Sequence, residues 1–104
     1  MKLELYLFDA LMRDLVGHSK APAAYLVYLQ LYRHTQGLGR DTVAMSLMML
    51  ADATGLSKRS VQTAVSLLQS RELISIYKQR PTSIPIYTVL TPWRRIASTR
   101  SQVP

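Results

Sequence analysis

The chain of 104 residues carries a net charge of +7, no cysteine and an apolar fraction of 48%. That length fits one domain with a working hydrophobic core rather than two, and the lack of cysteine excludes disulfide frameworks, thiolate zinc sites and cysteine nucleophiles. The charge is one-sided: residues 1–56 hold five basic and five acidic side chains, whereas residues 57–104 hold eight basic ones and a single acid, Glu72. Such a field points to a polyanionic partner, either nucleic acid or an anionic membrane surface.

In chain order, Leu3, Leu7, Leu11 and Leu15 recur every four residues and form one stripe of a helix over 3–16. Asp9, Arg13 and Asp14 fall mostly off that stripe, and Gly17 follows as a stop signal. The stripe has to be buried, on its own domain or against the same helix of a second chain. The expectation is the second, a homodimer formed through residues 1–18. Ser19 is placed to cap the next helix, over 21–35, with Pro22 tolerated in its first turn. Ala24, Leu26, Val27, Leu29 and Leu31 leave that helix little polar surface, so it is expected at the centre of the fold. Its apolar run, Ala21 to Tyr32, includes Gln30 and is too short to cross a bilayer. The N-terminus has neither the clean apolar region nor the cleavage site of a signal peptide. No membrane association is expected, and the expected location is the cytoplasm.

Residues 36–40 read as a turn, followed by a short extended piece from Thr42 to Met45. Ser46 then caps a helix over 47–54, which Gly55 ends in the left-handed conformation. Ser57 caps a further helix over 58–71. From Leu73 the composition turns β-branched and aromatic. Residues 73–77 and 84–90 read as two strands of a hairpin, joined by a loop at 78–83, and Pro92 breaks the second strand. Residues 98–104 are polar and expected to fray.

The segment from Ser46 to Leu90 carries the informative pattern. Two helices meet through the tight turn Ala53-Thr54-Gly55-Leu56-Ser57, and a hairpin with a basic tip follows at once. Leu47, Leu50 and Ala51 are expected to pack on Val61, Val65 and Leu68, with Leu56 filling the angle. This arrangement, the phrase Leu-Ala-Asp-Ala-Thr-Gly-Leu-Ser-Lys-Arg-Ser-Val-Gln-Thr-Ala-Val-Ser-Leu-Leu, and Arg71-Glu72-Leu73-Ile74 after it resemble the winged helix-turn-helix domains. These include bacterial transcription regulators and the DNA-binding modules of plasmid and phage replication initiators. The ending Tyr87-Thr88-Val89-Leu90-Thr91-Pro92-Trp93-Arg94 is similar to the replication group.

The resemblance implies an α+β, mostly α fold: a three-helix core with a C-terminal β-hairpin wing, plus an extra N-terminal helix. The implied division is an N-terminal helix over 1–18, a winged helix-turn-helix domain over 19–93 and a basic polar tail over 94–104. It further implies sequence-specific binding of double-stranded DNA, with the helix at 58–71 in the major groove. Val61, Ala64, Val65 and Leu68 make its buried stripe, while Lys58, Arg59, Gln62, Thr63 and Ser66 are left facing outward. Arg59 is suited to guanine and Gln62 to adenine, Lys58 to phosphate, and Ser57 and Ser60 to the backbone at the helix N-terminus. On the wing, over 78–83, Lys78 and Arg80 are the expected backbone contacts, and Arg94 and Arg95 are further phosphate candidates.

The same basic face also suits an acidic protein partner, or RNA in a ribosome-associated role. No enzymatic activity, cofactor, metal or small-molecule substrate is expected. His18 and His34 have no acid pattern suited to a metal, the six acids are scattered, and Gly37-Leu38-Gly39 lacks the setting of a phosphate loop. Met45, Met48 and Met49 are expected as core filler, Trp93 as a core residue, and the six tyrosines as amphipathic core and interface residues.

Overall fold

The computed structural model describes residues 4–92, so Leu3, Trp93, Arg94, Arg95 and the rest of the C-terminal tail lie outside the described residues. Within that range the fold is α+β and mostly helical, with a small antiparallel sheet. An N-terminal helix in π-type turns, Leu7–Leu11 and Arg13–His18, precedes α1 (Pro22–His34). A 3-10 turn at Gln36–Leu38 leads to β1 (Thr42–Ala44), then α2 (Leu47–Thr54), α3 (Lys58–Ser70), β2 (Ile74–Tyr77) and β3 (Ile86–Val89).

The N-terminal helix departs from the expected α-geometry and runs past Gly17 to His18. Its hydrogen bonds reach five residues back, as from Met12 N–H to the Leu7 carbonyl and from Ser19 N–H to that of Asp14. Such turns are wider than the α-helix with its roughly 3.6 residues per turn. Leu7, Leu11 and Leu15 are at most 3% exposed and lie in the chain's own core. The expectation that this stripe pairs with a second copy is thereby corrected.

Helix α1 is the hub, packed against the N-terminal helix, α2, α3 and β3. Three of its tyrosines are buried by their rings and hold distant segments by their hydroxyls. Tyr25 donates to the Leu7 carbonyl at 2.7 Å, Tyr32 to Glu4 Oε1 at 3.2 Å, and Tyr28 to the Leu90 carbonyl at 2.8 Å. The first two fasten the N-terminal helix, and the third fastens the end of β3. Leu26, expected in the core, is 43% exposed, because Tyr25, Tyr28 and Tyr32 define the inner face and Leu26 stands on the outer one. Ser19 does not cap α1. The N-cap is Ala21, with no side-chain cap, and Ser19 instead accepts a hydrogen bond from Arg71.

The expected strand at 42–45 forms as β1 and pairs with β3, giving the order β1-β3-β2. The register sets Thr42 opposite Thr88 and Ala44 opposite Ile86 on one side of β3, and Ile74 opposite Val89 and Tyr77 opposite Ile86 on the other. Tyr87 and Val89 point into the core and their strand neighbours outward, the alternation a half-buried strand requires. The second hairpin strand begins at Ile86 rather than Ile84, which is 56% exposed. Of the methionines, Met45 is buried, but Met48 and Met49 are about half exposed. The cap at Ser46 sets the phase of the eight-residue α2, whose inward positions are Leu50 and Ala51. No helix among the described residues is long and apolar enough to cross a membrane.

Candidate nucleic-acid interface

The geometry of α2 and α3 follows from local chemistry at three positions. Ser46 Oγ accepts from Met49 N–H at 3.1 Å and starts α2. Gly55 closes that helix at φ +79, a conformation an L side chain adopts only with strain. Ser57 Oγ accepts from Ser60 N–H at 3.1 Å and starts α3 at once. Between the helices Leu50 and Ala51 meet Val61, Val65 and Leu68 in the core, while Leu47 and Leu56 pack half-buried at its edge.

That packing divides α3 cleanly. Val61, Ala64, Val65 and Leu68 are buried, whereas Arg59, Gln62, Thr63 and Ser66 are exposed. Those four stand at three- and four-residue spacing and so share one outward face; Lys58 is exposed at its N-terminal margin. Ser57 is committed to the cap and its hydroxyl donates to Ser60 Oγ at 2.9 Å, leaving Ser60 as the hydroxyl able to donate outward.

A groove of about 390 Å³ runs between the start of α1 and α3. It brings together Arg59, Ser60 and Thr63 with Lys20, a cation absent from the residues picked out by sequence. Lys20 is exposed and left-handed at φ 52. Nothing local in the sequence marks it, because its proximity to α3 is a product of tertiary packing.

The loop between β2 and β3 is closed by a tight turn. Arg80 N–H donates to Ser83 Oγ at 3.2 Å and Ser83 N–H to the Arg80 carbonyl at 3.0 Å, with Pro81 and Thr82 at the tip. Lys78 and Arg80 are exposed, next to the largely exposed Tyr77. Arg71 belongs to the fold rather than to this surface: it pairs with Asp14 and donates to Ser19, tying the end of α3 to the N-terminal helix. Lys58, Arg59, Lys78 and Arg80 have no ion-pair partner among the described residues. No group of three metal-ligating side chains occurs among the described residues.

Two helices joined through a left-handed glycine, one presenting a basic and polar face beside a small antiparallel sheet, define a helix-turn-helix protein. The chain belongs to a family of helix-turn-helix domains, whose model matches residues 21–74. The matched segment takes in α1, β1, α2 and α3 and ends on the first residue of β2. No curated protein and no solved structure matches the chain.

Proposed function

We propose that the protein binds double-stranded DNA sequence-specifically, with α3 in the major groove and the loop at 78–83 serving as a wing on the backbone. The carrying observation is the outward face of Arg59, Gln62, Thr63 and Ser66 on the second helix of a helix-turn-helix pair. In this reading Arg59 pairs bidentately with guanine and Gln62 with adenine. Lys58, Lys78, Arg80, Ser57 and Ser60 meet the backbone, Lys20 joins them from across the groove, and Arg94 and Arg95 add phosphate contacts from the tail. The protein acts without catalysis as a cytoplasmic homodimer on paired half-sites, in transcription control or replication initiation.

Titration of duplexes selected from random DNA, over a series of salt concentrations, tests the reading. Four to six of these cations at phosphates correspond to a slope of log affinity against log salt of about −4 to −5 per protomer. Arg59→Ala and Gln62→Ala should each cost about 1–3 kcal/mol on the selected site. Lys78→Ala with Arg80→Ala should weaken all duplexes alike and make the slope shallower by about 2. A slope near zero refutes DNA binding. Stronger binding to RNA of the same sequence assigns the face to RNA instead.

A further inference from the structure

The groove between the start of α1 and α3 has two kinds of wall. Its floor is apolar, made by Ala21, Ala23 and Ala24 on one side and by Ala64 and Leu67 on the other. Ala24 and Ala64 are buried, and Ala21, Ala23 and Leu67 pack half-buried against the core. The alanine side chains are too short to span the gap between the two helices, which leaves the space open. The rim is cationic and polar: exposed Lys20 and Arg59 stand there with the hydroxyls of Ser60 and Thr63. Among the described residues no acidic side chain lines the groove, and neither cation has an ion-pair partner. The volume, about 390 Å³, falls within the range of about 300–1,000 Å³ of small-molecule sites, which likewise combine apolar walls with a few polar groups.

We propose that this groove binds a small organic monoanion, a carboxylate on a compact apolar body, and that this ligand and DNA exclude each other. A bare phosphate uses the two cations but leaves the apolar floor to water. An uncharged ligand covers the floor but leaves both cations unused. A carboxylate with an apolar body meets both walls: the Arg59 guanidinium offers two parallel donors to its oxygens, Lys20 adds a second positive charge, and the body covers the alanines. An amino acid fits less well, because its ammonium brings a like charge beside Lys20 and Arg59 with no acid to receive it.

The exclusion rests on the DNA-binding reading, in which Arg59 pairs with guanine and Lys20 and Ser60 meet the backbone. A ligand that holds Arg59 and covers Thr63 withdraws these side chains from the duplex. Binding of the monoanion then lowers the fraction of protein on DNA by direct competition, with no change of fold.

Titration of the full chain without DNA, followed by amide NMR shifts at constant ionic strength, tests the site. Three probes share one skeleton: hydrocinnamate, phenylalanine with its added ammonium, and hydrocinnamyl alcohol without the charge. Inorganic phosphate supplies charge without a body. Hydrocinnamate should bind saturably, shift the amides of Ala23, Ala24, Thr63 and Leu67, and bind more tightly than the other three. Lys20→Gln and Arg59→Gln should each weaken it about two- to fivefold, as for exposed ion pairs. Ala23→Leu should block it by filling the floor with both cations in place. If Ala23→Leu fails to fold, the two cation variants decide, because both positions are exposed. No saturation at the solubility limit of hydrocinnamate overturns the proposal, as does equal binding of the alcohol or of phosphate, or binding indifferent to these substitutions. With the selected duplex present, hydrocinnamate at about ten times its own Kd should weaken DNA binding about tenfold. Ligand and duplex bound together overturn the exclusion. Hydrocinnamate binding here to a protein that takes up no duplex supports the site and removes only the DNA reading.

Discussion

Glu72 is the residue at which a single substitution should stabilise the fold. Helix α3 ends in a paired set of reversed hydrogen bonds, from Glu72 N–H to the Gln69 carbonyl at 3.1 Å and from Leu73 N–H to the Leu68 carbonyl at 3.0 Å. This closing motif puts the residue after the C-cap in the left-handed region, where glycine is favoured, yet Glu72 occupies it at φ 57. An L side chain there costs about 1–2 kcal/mol. Glu72 is exposed and makes no ion pair among the described residues, so Glu72→Gly removes the strain without breaking a contact. The added freedom of the unfolded chain returns about 0.4–1 kcal/mol. The net expectation is a gain of about 0.5–1 kcal/mol, a rise in melting temperature of roughly 2–8 °C for a domain of this size. Thermal melting followed by circular dichroism measures it, with Glu72→Ala as the control. Alanine loses the same negative charge but keeps the left-handed cost. If the alanine variant gains as much as the glycine variant, the stabilisation is electrostatic and the backbone reasoning is wrong.

Other perturbations rank the contacts that hold the N-terminal helix. Leu15→Ala empties a fully buried site and should cost about 2–5 kcal/mol in denaturant unfolding. Asp14→Ala breaks a pair whose partners are more than one-third exposed and should cost no more than about 1 kcal/mol; the opposite order would mean that the ion pair, not the leucine column, anchors the helix. Tyr28→Phe removes the hydroxyl bonded to Leu90 and should cost about 0.5–1.5 kcal/mol, and an unchanged unfolding midpoint would refute that tether. Burial raises the Tyr25 and Tyr87 phenols above their usual 10.0. The folded state therefore keeps these protons longer than the unfolded chain, and stability should be flat below pH 10 and fall as pH rises beyond it. Tyr87→Phe should reduce that alkaline fall in a pH series of melting temperatures, and an undiminished fall would exclude Tyr87 as its source.

What could be read from the sequence was the part settled between near neighbours. Ser46, Gly55 and Ser57 act within three or four residues of their own positions, so the bounds of α2 and the start of α3 followed from cap chemistry. The inner face of α3 followed from its apolar period. What stayed hidden depended on partners far along the chain. The leucine column announced a buried stripe without naming what buries it, and the hydroxyls of Tyr25 and Tyr32 reach the helix from more than a dozen residues away. Ser19 looked like a cap, but Arg71, remote in sequence, takes its hydroxyl. Met48, Met49 and Leu26 are apolar by type and outward by phase, a distinction that only the packed helices draw. Lys20 joins the candidate interface solely because α1 begins beside α3.

The central place of β3 carries a consequence for how this protein can vary. Register is held from both edges, by β1 and by β2, and Met45 N–H donates to the Pro85 carbonyl just before the strand. A sheet pinned on both sides has no freedom to slip. The exposed stretch from Lys78 to Ile84 is therefore the place where residues can be inserted or removed while the core keeps its alignment. Its length sets how far Lys78 and Arg80 extend from the body of the molecule, so relatives or engineered variants can alter their reach at this one loop and leave the rest of the framework unchanged.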